Sequence, residues 1–289
     1  MILKENFTLS NGNTIPKLGF GTWFIEDDVA AETIQKALEI GYRHIDSAQG
    51  YGNERGVGEG IRNSNVPREE IFVTTKLEAD IKNYEDAVRA IDNSLEKMDL
   101  GYIDLFIIHS PQPWAQFREE EPFFEENLAI WKALEEAYKE GKVRAIGLSN
   151  FEERDIQNIL DHGTVKPVVN QILAHISNTP FDLIKYCQEN EILVEAYSPI
   201  GHGALLNHPI LIEMAEKYNV TVPQLAIRYC LELGMLPIAK SSNPKHIESN
   251  TGVDFEISSD DLETLKTIET IENYGEANKF HVFGKGISK

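Results

Sequence analysis

The chain reads as an α/β protein, a closed (β/α)8 barrel of the TIM type, on three observations. From residue 18 onward, eight short apolar segments recur between amphipathic helical ones. These segments are apolar throughout rather than alternating, which marks strands buried on both faces, as in a parallel sheet. Asp46, Lys76, His109, Asn150, Gln171 and Ser198 all fall at or just past the C-terminal end of such a segment. In a barrel those ends converge on one face, whereas an open sheet would spread them along a crevice. The length of 289 residues suits one domain over 1–289, and no composition break divides it.

The elements follow in order. Residues 7–15 read as a hairpin, with Asn11-Gly12 supplying the positive φ angles of a tight turn. Strands are expected at 18–21, 44–46, 71–75, 103–108, 143–148, 168–172, 193–197 and 236–239. Helical periodicity fits 29–40, 54–62, 84–97, 125–140, 152–160, 181–189 and 210–233. The last is long enough for two helices parted near Val222-Pro223, since proline suits a first helical turn. Two extra C-terminal helices, 244–250 and 259–271, follow the last strand. The proline-framed loop 111–122 directly follows His109 and reads as a lid over the barrel mouth. The polar tail 274–289, with Phe280 and Phe283, reads equally as a second lid or a frayed terminus.

Composition excludes several classes. Acidic residues number 47 against 27 basic, a formal net charge of −20. Such a surface repels phosphate backbones and anionic lipid, so neither nucleic acid nor a membrane is an expected partner. The first ten residues are too polar for a secretory signal, and no apolar run is long enough for a membrane helix. A cytoplasmic chain is expected, and, with no coiled coil or sustained apolar stripe, a monomer. Cys187 and Cys230 fall in helical segments and read as small core residues rather than a disulfide or a zinc site.

Four residues carry the chemistry. The stretch YRHIDSAQGYGNERGVGEGIR (42–62) puts a carboxylate, Asp46, and a phenol, Tyr51, on a short loop after a strand. Lys76 and His109 end the next two strands. A free tyrosine, with a pKa of about 10, is a sluggish acid near neutral pH. A cation alongside favours phenolate and lowers that pKa, so Lys76, kept charged and aimed by Asp46, would tune Tyr51. His109 would hydrogen-bond a substrate oxygen or extend a proton relay. Such a tyrosine can protonate a carbonyl oxygen as it becomes an alkoxide, but none of the four supplies a hydride, so a reduction requires a cofactor.

No G-x-G-x-x-G joins a strand to a helix, and there is no G-x-S-x-G, H-E-x-x-H or Walker loop. Gly56, Gly58 and Gly60 lie inside the helix after Tyr51 and read as permitting close packing. His44, Asp46, His109 and His175 would suit a metal-dependent hydrolase, a reading that Lys76 at the same rim weakens by competing for Asp46. No metal is expected.

GFGTW (19–23), YRHIDSAQGYGNE with VGEGIR, TTK, IDLFIIH, WKALEEAYKEGKVRAIGLSNF, VVNQ, AYSPIG and KSSNP occur in this order across residues 12–250. In these motifs the chain resembles the aldo-keto reductases, among them the bacterial diketogluconate-reductase-like and prostaglandin-synthase-like members. The resemblance implies a barrel that binds NADPH without a Rossmann motif and reduces aldehydes or ketones to alcohols, reversibly. It implies Tyr51 as proton donor, Lys76 and Asp46 as its tuning pair, and His109 as the group that orients substrate. Ser149, Asn150 and Gln171 match the residues that hold the nicotinamide carboxamide, and Tyr197 the aromatic on which its ring stacks. Ser198 and Ile200 match the pyrophosphate side, and Lys240 and Ser241 the 2′-phosphate site. Thr22 and Trp23 match the ribose and the pocket wall. Taken singly, Trp23 and Tyr197 also read as core aromatics, and Asn150 as a helix cap.

The chain departs from the family pattern in four places. His246 stands where many relatives have arginine against the 2′-phosphate, and neutral imidazole is a weaker phosphate ligand. Ser249 replaces an adenine-contacting glutamate, although Asn250 is kept. Reduced discrimination against NADH is therefore expected, with NADPH still favoured through Lys240. Ser110 replaces a tryptophan and is expected to open the substrate pocket on one side, and Leu173-Ala174-His175-Ile176 replaces E-Y-H-P. The glutamates at 119–121 would either weakly disfavour anionic substrates or simply face water. The alternative is a non-catalytic NADPH-binding module of the same fold, against which the complete quartet argues.

Overall fold

The computed structural model describes residues 1–284; the last five residues of the expected tail lie outside this range. An antiparallel hairpin of β1 (Asn6–Thr8) and β2 (Thr14–Pro16) comes first. Its loop is longer than the tight turn expected, closed by bonds between Leu9 and both Asn13 and Gly12. Only Gly12 takes a positive φ, 87°. Asn11 instead accepts the Asn13 N–H through its side chain, which gives it a turn role without left-handed backbone.

Eight parallel strands then close a barrel: β3 (Gly19–Gly21), β4 (His44–Asp46), β5 (Phe72–Leu77), β6 (Leu105–Ile108), β7 (Ile146–Ser149), β8 (Val169–Leu173), β9 (Leu193–Tyr197) and β10 (Leu236–Ala239). They pair in sequence order, and β10 closes on β3. β5 runs two residues past the expected end, which brings Lys76 inside the ladder, paired with Ile107. Residues 103 and 143, expected to begin strands, meet only in an isolated bridge. There the Asp104 carboxylate takes the Val73 N–H and an Arg68 guanidinium bond.

Helices wrap the outside: α1 (Asp27–Ile40), α2 (Glu54–Arg62), α3 (Tyr84–Met98), α4 (Phe124–Lys139), α5 (Glu153–His162) and α6 (Phe181–Glu189). Two helices, α7 (Pro209–Lys217) and α8 (Val222–Glu232), separate β9 from β10. The break falls where proline indicated, with Thr221 and Gln224 forming a reciprocal capping box. After β10 come α9 (Pro244–Ser249), α10 (Ser259–Lys266) and the short α11 (His281–Gly284). α10 stops five residues short of the expected 271, closed by the Thr267 N–H on Leu265 and Thr264 carbonyls. Cys187 and Cys230 are buried free thiols on α6 and α8. Among the described residues no helix is long and apolar enough to cross a membrane.

Three close approaches seat the helix that follows Tyr51. A Cβ on Gly56 would lie 2.2 Å from the Asp27 carbonyl oxygen, one on Gly58 2.1 Å from that of Met98, and one on Gly60 2.7 Å from that of Ala31. α2 therefore lies directly on the backbones of α1 and the end of α3, with no side-chain layer between.

Candidate active site

Lys76 projects from β5 into the barrel and is 0% exposed. Its ammonium donates to Asp46 Oδ1 at 2.6 Å, to the Ser47 carbonyl at 2.8 Å and to Tyr51 Oη at 3.2 Å. An ammonium has three N–H groups, so all three are engaged. Tyr51 Oη accepts from Lys76, and its own proton is left to point into the cavity, where the His109 ring stands edge-on at 5.8 Å between centroids. The loop between Asp46 and Tyr51 is pinned from below. Asn53 accepts from the Ser47 hydroxyl and donates to the Thr22 and Ile25 carbonyls, while Asp46 Oδ2 accepts from Gln171 Nε2 at 2.9 Å.

The electrostatics correct one expectation. Burial raises the Tyr51 phenol above its ordinary value of 10.0, and Lys76 opposes that rise without overcoming it. The phenol therefore stays protonated at neutral pH, the state a proton donor needs. Burial lowers the Lys76 pKa, but Asp46 and Tyr51 together raise it further, so the ammonium stays charged. His109 is held well below 6.5 by burial and then by Lys76, so it is a neutral ring, and its Nδ1 is buried without a partner.

A cavity of about 910 Å³ opens from this cluster and runs across the C-terminal rim to β10 and α9. Trp23, Asp46, Tyr51, His109, Ser149, Asn150, Gln171 and Tyr197 line its inner part. Ser198, Ile200, Lys240, Ser241, His246 and Asn250 line its outer part. Gln171 Nε2 faces two carboxylates, Asp46 and Glu195, which fixes its nitrogen there and leaves its Oε1 as the free acceptor. Asn150, at φ 61°, does not cap α5, whose N-cap is Glu152. It ties strand ends instead, donating to the His109 carbonyl and Ser149 Oγ and accepting from the Tyr197 hydroxyl at 2.8 Å.

Three residues named from sequence lie outside this lining. Lys76 sits behind it, in contact with the lining residues Asp46 and Tyr51. Thr22 is fully buried, its hydroxyl donating to the Asp46 carbonyl. Ser110, expected to widen the pocket, is buried away from it, its Oγ accepting the Gln112 N–H and its carbonyl accepting Lys82. His109 faces the cavity, and the residue after it points the other way. The indole of Trp114 closes that side, 5.1 Å from the His109 ring. The loop 111–122 is stapled by Gln112, whose amide donates to the Glu119 and Glu121 carbonyls and accepts the Arg118 N–H. The tail folds back: Tyr274 bonds His175, and the Phe280 ring meets Trp23 at 4.9 Å. None of the glutamates at 119–121 lines the cavity; the carboxylates on its wall are Asp46 and Glu78. His44 bonds Thr74 in the barrel interior, and among the described residues no His, Cys, Asp and Glu group is placed to hold a metal ion.

The model of the aldo/keto reductase family matches residues 17–270, most of the chain. The chain belongs to the aldo-keto reductase family. It is an oxidoreductase that acts on carbonyl groups of small molecules with a nicotinamide cofactor. It is 38% identical over 275 residues to the glyoxal reductase of Bacillus subtilis, covering 94% of this chain and 96% of that one. It is 37% identical to an aldehyde reductase of Saccharomyces cerevisiae, covering 91% and 90%. Among solved structures, an aldo/keto reductase from Brucella melitensis superposes with a TM-score of 0.86 at 36% identity, over 93% of this chain and 99% of that one. A Bombyx mori aldo-keto reductase in complex with NADP superposes at 0.85 and 32% identity, over 95% and 96%.

Sequence reasoning missed several residues of this reductase. Glu195 is buried in the barrel beside Gln171, and its signal was a lone acid inside the apolar strand LVEAY. Glu78 follows Lys76 by two positions and so shares its face of the strand. Asn53 and Trp114 carried no signal of their own, because their roles depend on how two loops fold.

Proposed function

We propose that the reductase converts an aldehyde or ketone to an alcohol with Tyr51 as the proton donor. The saturated ammonium of Lys76 is the observation that carries this reading. With all three N–H groups engaged, Lys76 cannot itself protonate the substrate, whereas the Tyr51 proton is free. As that proton leaves, the phenolate forms 3.2 Å from a fixed positive charge, which is electrostatic stabilisation of the developing anion. Neutral His109 offers a hydrogen bond to the same oxygen and turns the carbonyl toward Tyr51. Reduced nicotinamide, when bound, supplies the hydride that these side chains lack.

The cavity chemistry fits NADPH. Gln171 Oε1 is a free acceptor for a carboxamide N–H, assisted by Ser149 and by the remaining lone pair of Asn150. The Tyr197 ring offers a stacking face. Ser198, Gly201, His202 and Gly203 all have positive φ, between 51° and 92°, a backbone that forms N–H concavities suited to a pyrophosphate. Lys240 and Ser241, with His246 and Asn250 beyond, suit the 2′-phosphate end, with NADPH preferred and NADH accepted. We further read the chain as one domain, a cytoplasmic monomer; its buried free thiols and acidic surface support this.

Tyr51→Phe tests the assignment. Turnover of NADPH with an aldehyde should fall by about 10²–10⁴, the usual contribution of general acid catalysis, while the NADPH Kd stays within about threefold. Unchanged turnover would remove Tyr51 from the role.

A further inference from the structure

Besides Asp46, which is paired with Lys76, the substrate end of the cavity is lined by a second acid, and among the described residues no cation pairs with it. Glu78 lies just past the end of β5, two residues beyond Lys76, and lines the cavity. Its Oε1 would stand 3.5 Å from a Cβ on Gly50, the residue before Tyr51, so the carboxylate overhangs the loop that delivers the proton. Its backbone N–H is held by Gln49 at 2.9 Å, but among the described residues no salt bridge or hydrogen bond engages its carboxylate. Lys97 influences it without reaching ion-pair distance, and Asp80 adds a second negative charge. The lysine that lines this cavity, Lys240, belongs to the far end.

Aromatic rings line the same cavity. Trp23 meets Phe24 at 4.3 Å, and Phe280 packs on both. Phe24 is half exposed and held at φ 59°, a conformation costly for a bulky side chain, which its packing on Trp23 and Phe280 sustains. Ring faces attract cations through their quadrupole, an unpaired carboxylate attracts them by charge, and a chain of net charge −20 draws them from a distance.

On the reading of the site above, we propose that Glu78 is a specificity residue and that the preferred substrates are aldehydes or ketones bearing a cationic group, such as an ammonium, with carboxylate-bearing carbonyls rejected. The carboxylate holds the positive group while the rings cover its apolar surroundings, leaving the carbonyl at Tyr51 and His109. A carboxylated substrate would place a second anion beside Glu78 with no ion-pair partner for either among the described residues.

Three benzaldehydes test this: para-trimethylammonium, unsubstituted and para-carboxylate. With NADPH, kcat/KM for the cationic aldehyde should exceed that for the carboxylated one by on the order of tenfold, the scale of one charge-assisted contact. Glu78→Gln should lower that ratio by about tenfold. A ratio untouched by Glu78→Gln, or a preference for the carboxylate, overturns the proposal. So does a Glu78-dependent preference for glyceraldehyde over the cationic aldehyde, which would assign the carboxylate to hydroxyl recognition. A second measurement needs no turnover: quenching of tryptophan fluorescence by benzyltrimethylammonium and by benzoate in the NADP⁺-bound protein, with and without Glu78→Gln. A Glu78-dependent preference for the cation there, with no aldehyde reduced, upholds the subsite and sinks the catalytic reading instead.

Discussion

Removing the charge of Lys76 should damage stability and turnover separately, and the two losses can be told apart. Lys76→Met takes away all three bonds of the ammonium and leaves Asp46, 3% exposed, with Gln171 as its side-chain partner. Breaking a buried ion pair by deleting one member costs about 3–5 kcal/mol, because the remaining charge is stranded. At about 2–4 °C per kcal/mol, the melting temperature should fall by about 6–20 °C. Turnover should fall by about 10²–10⁴, because the phenolate then forms without its cation. Adding Asp46→Asn removes the stranded charge. The double variant should recover most of the melting temperature and none of the turnover. Scanning fluorimetry and NADPH oxidation on wild type, single and double variants make the comparison. Turnover that returns along with stability would show Lys76 to be scaffolding and would refute its electrostatic role.

Three further outcomes follow from the geometry. Burial first, and Asp46 next, raise the Glu195 carboxyl from 4.5 to about 8. A raised folded-state pKa gives stability that is fully present below pH 4.5 and is lost as pH climbs to about 8. Relative to wild type, Glu195→Gln should gain about 1.4 kcal/mol per pH unit across that window and be the more stable protein at pH 9; urea midpoints at pH 5, 7 and 9 report it, and parallel curves would contradict it. Gly58→Ala would drive a methyl into the Met98 carbonyl and should cost about 1–3 kcal/mol by overpacking, read as a lowered melting temperature; a wild-type value would mean that α2 is free to shift. Lys240→Met should cut kcat/KM for NADPH by about tenfold and leave NADH nearly untouched, and an equal loss with both cofactors would detach Lys240 from the 2′-phosphate.

The barrel was legible because its strands are buried on both faces, so LFII and the apolar parts of VTTKL stand out from the amphipathic helices around them. The quartet was legible for a related reason: in a strand with no other business in water, a charged residue at the C-terminal end is conspicuous. Ser110 shows the limit. Which way a residue turns after a strand depends on one backbone step, and the ring that fills the space, Trp114, comes from a loop folded back by Gln112. The phenol's acidity was misjudged because the cation was visible in the sequence while the depth of burial was not. Glu195 and Glu78 went unread because their meaning lies in what surrounds them, a second carboxylate in one case and the lack of an ion-pair partner among the described residues in the other. Asn11 and the end of α10 are local misreadings, settled by a side-chain bond and by capping at Thr267.

An enzyme that admits aldehydes next to a primary amine runs the risk of imine formation with its own substrate. An amine attacks only as the free base with its lone pair exposed. In this barrel the nitrogen of Lys76 is protonated, sealed from solvent and bonded in three directions, with the phenol standing between it and the entrance. The bonds that keep the ammonium charged beside Tyr51 also shield the amine, so that exposure to reactive carbonyls should glycate surface lysines long before it silences the reaction.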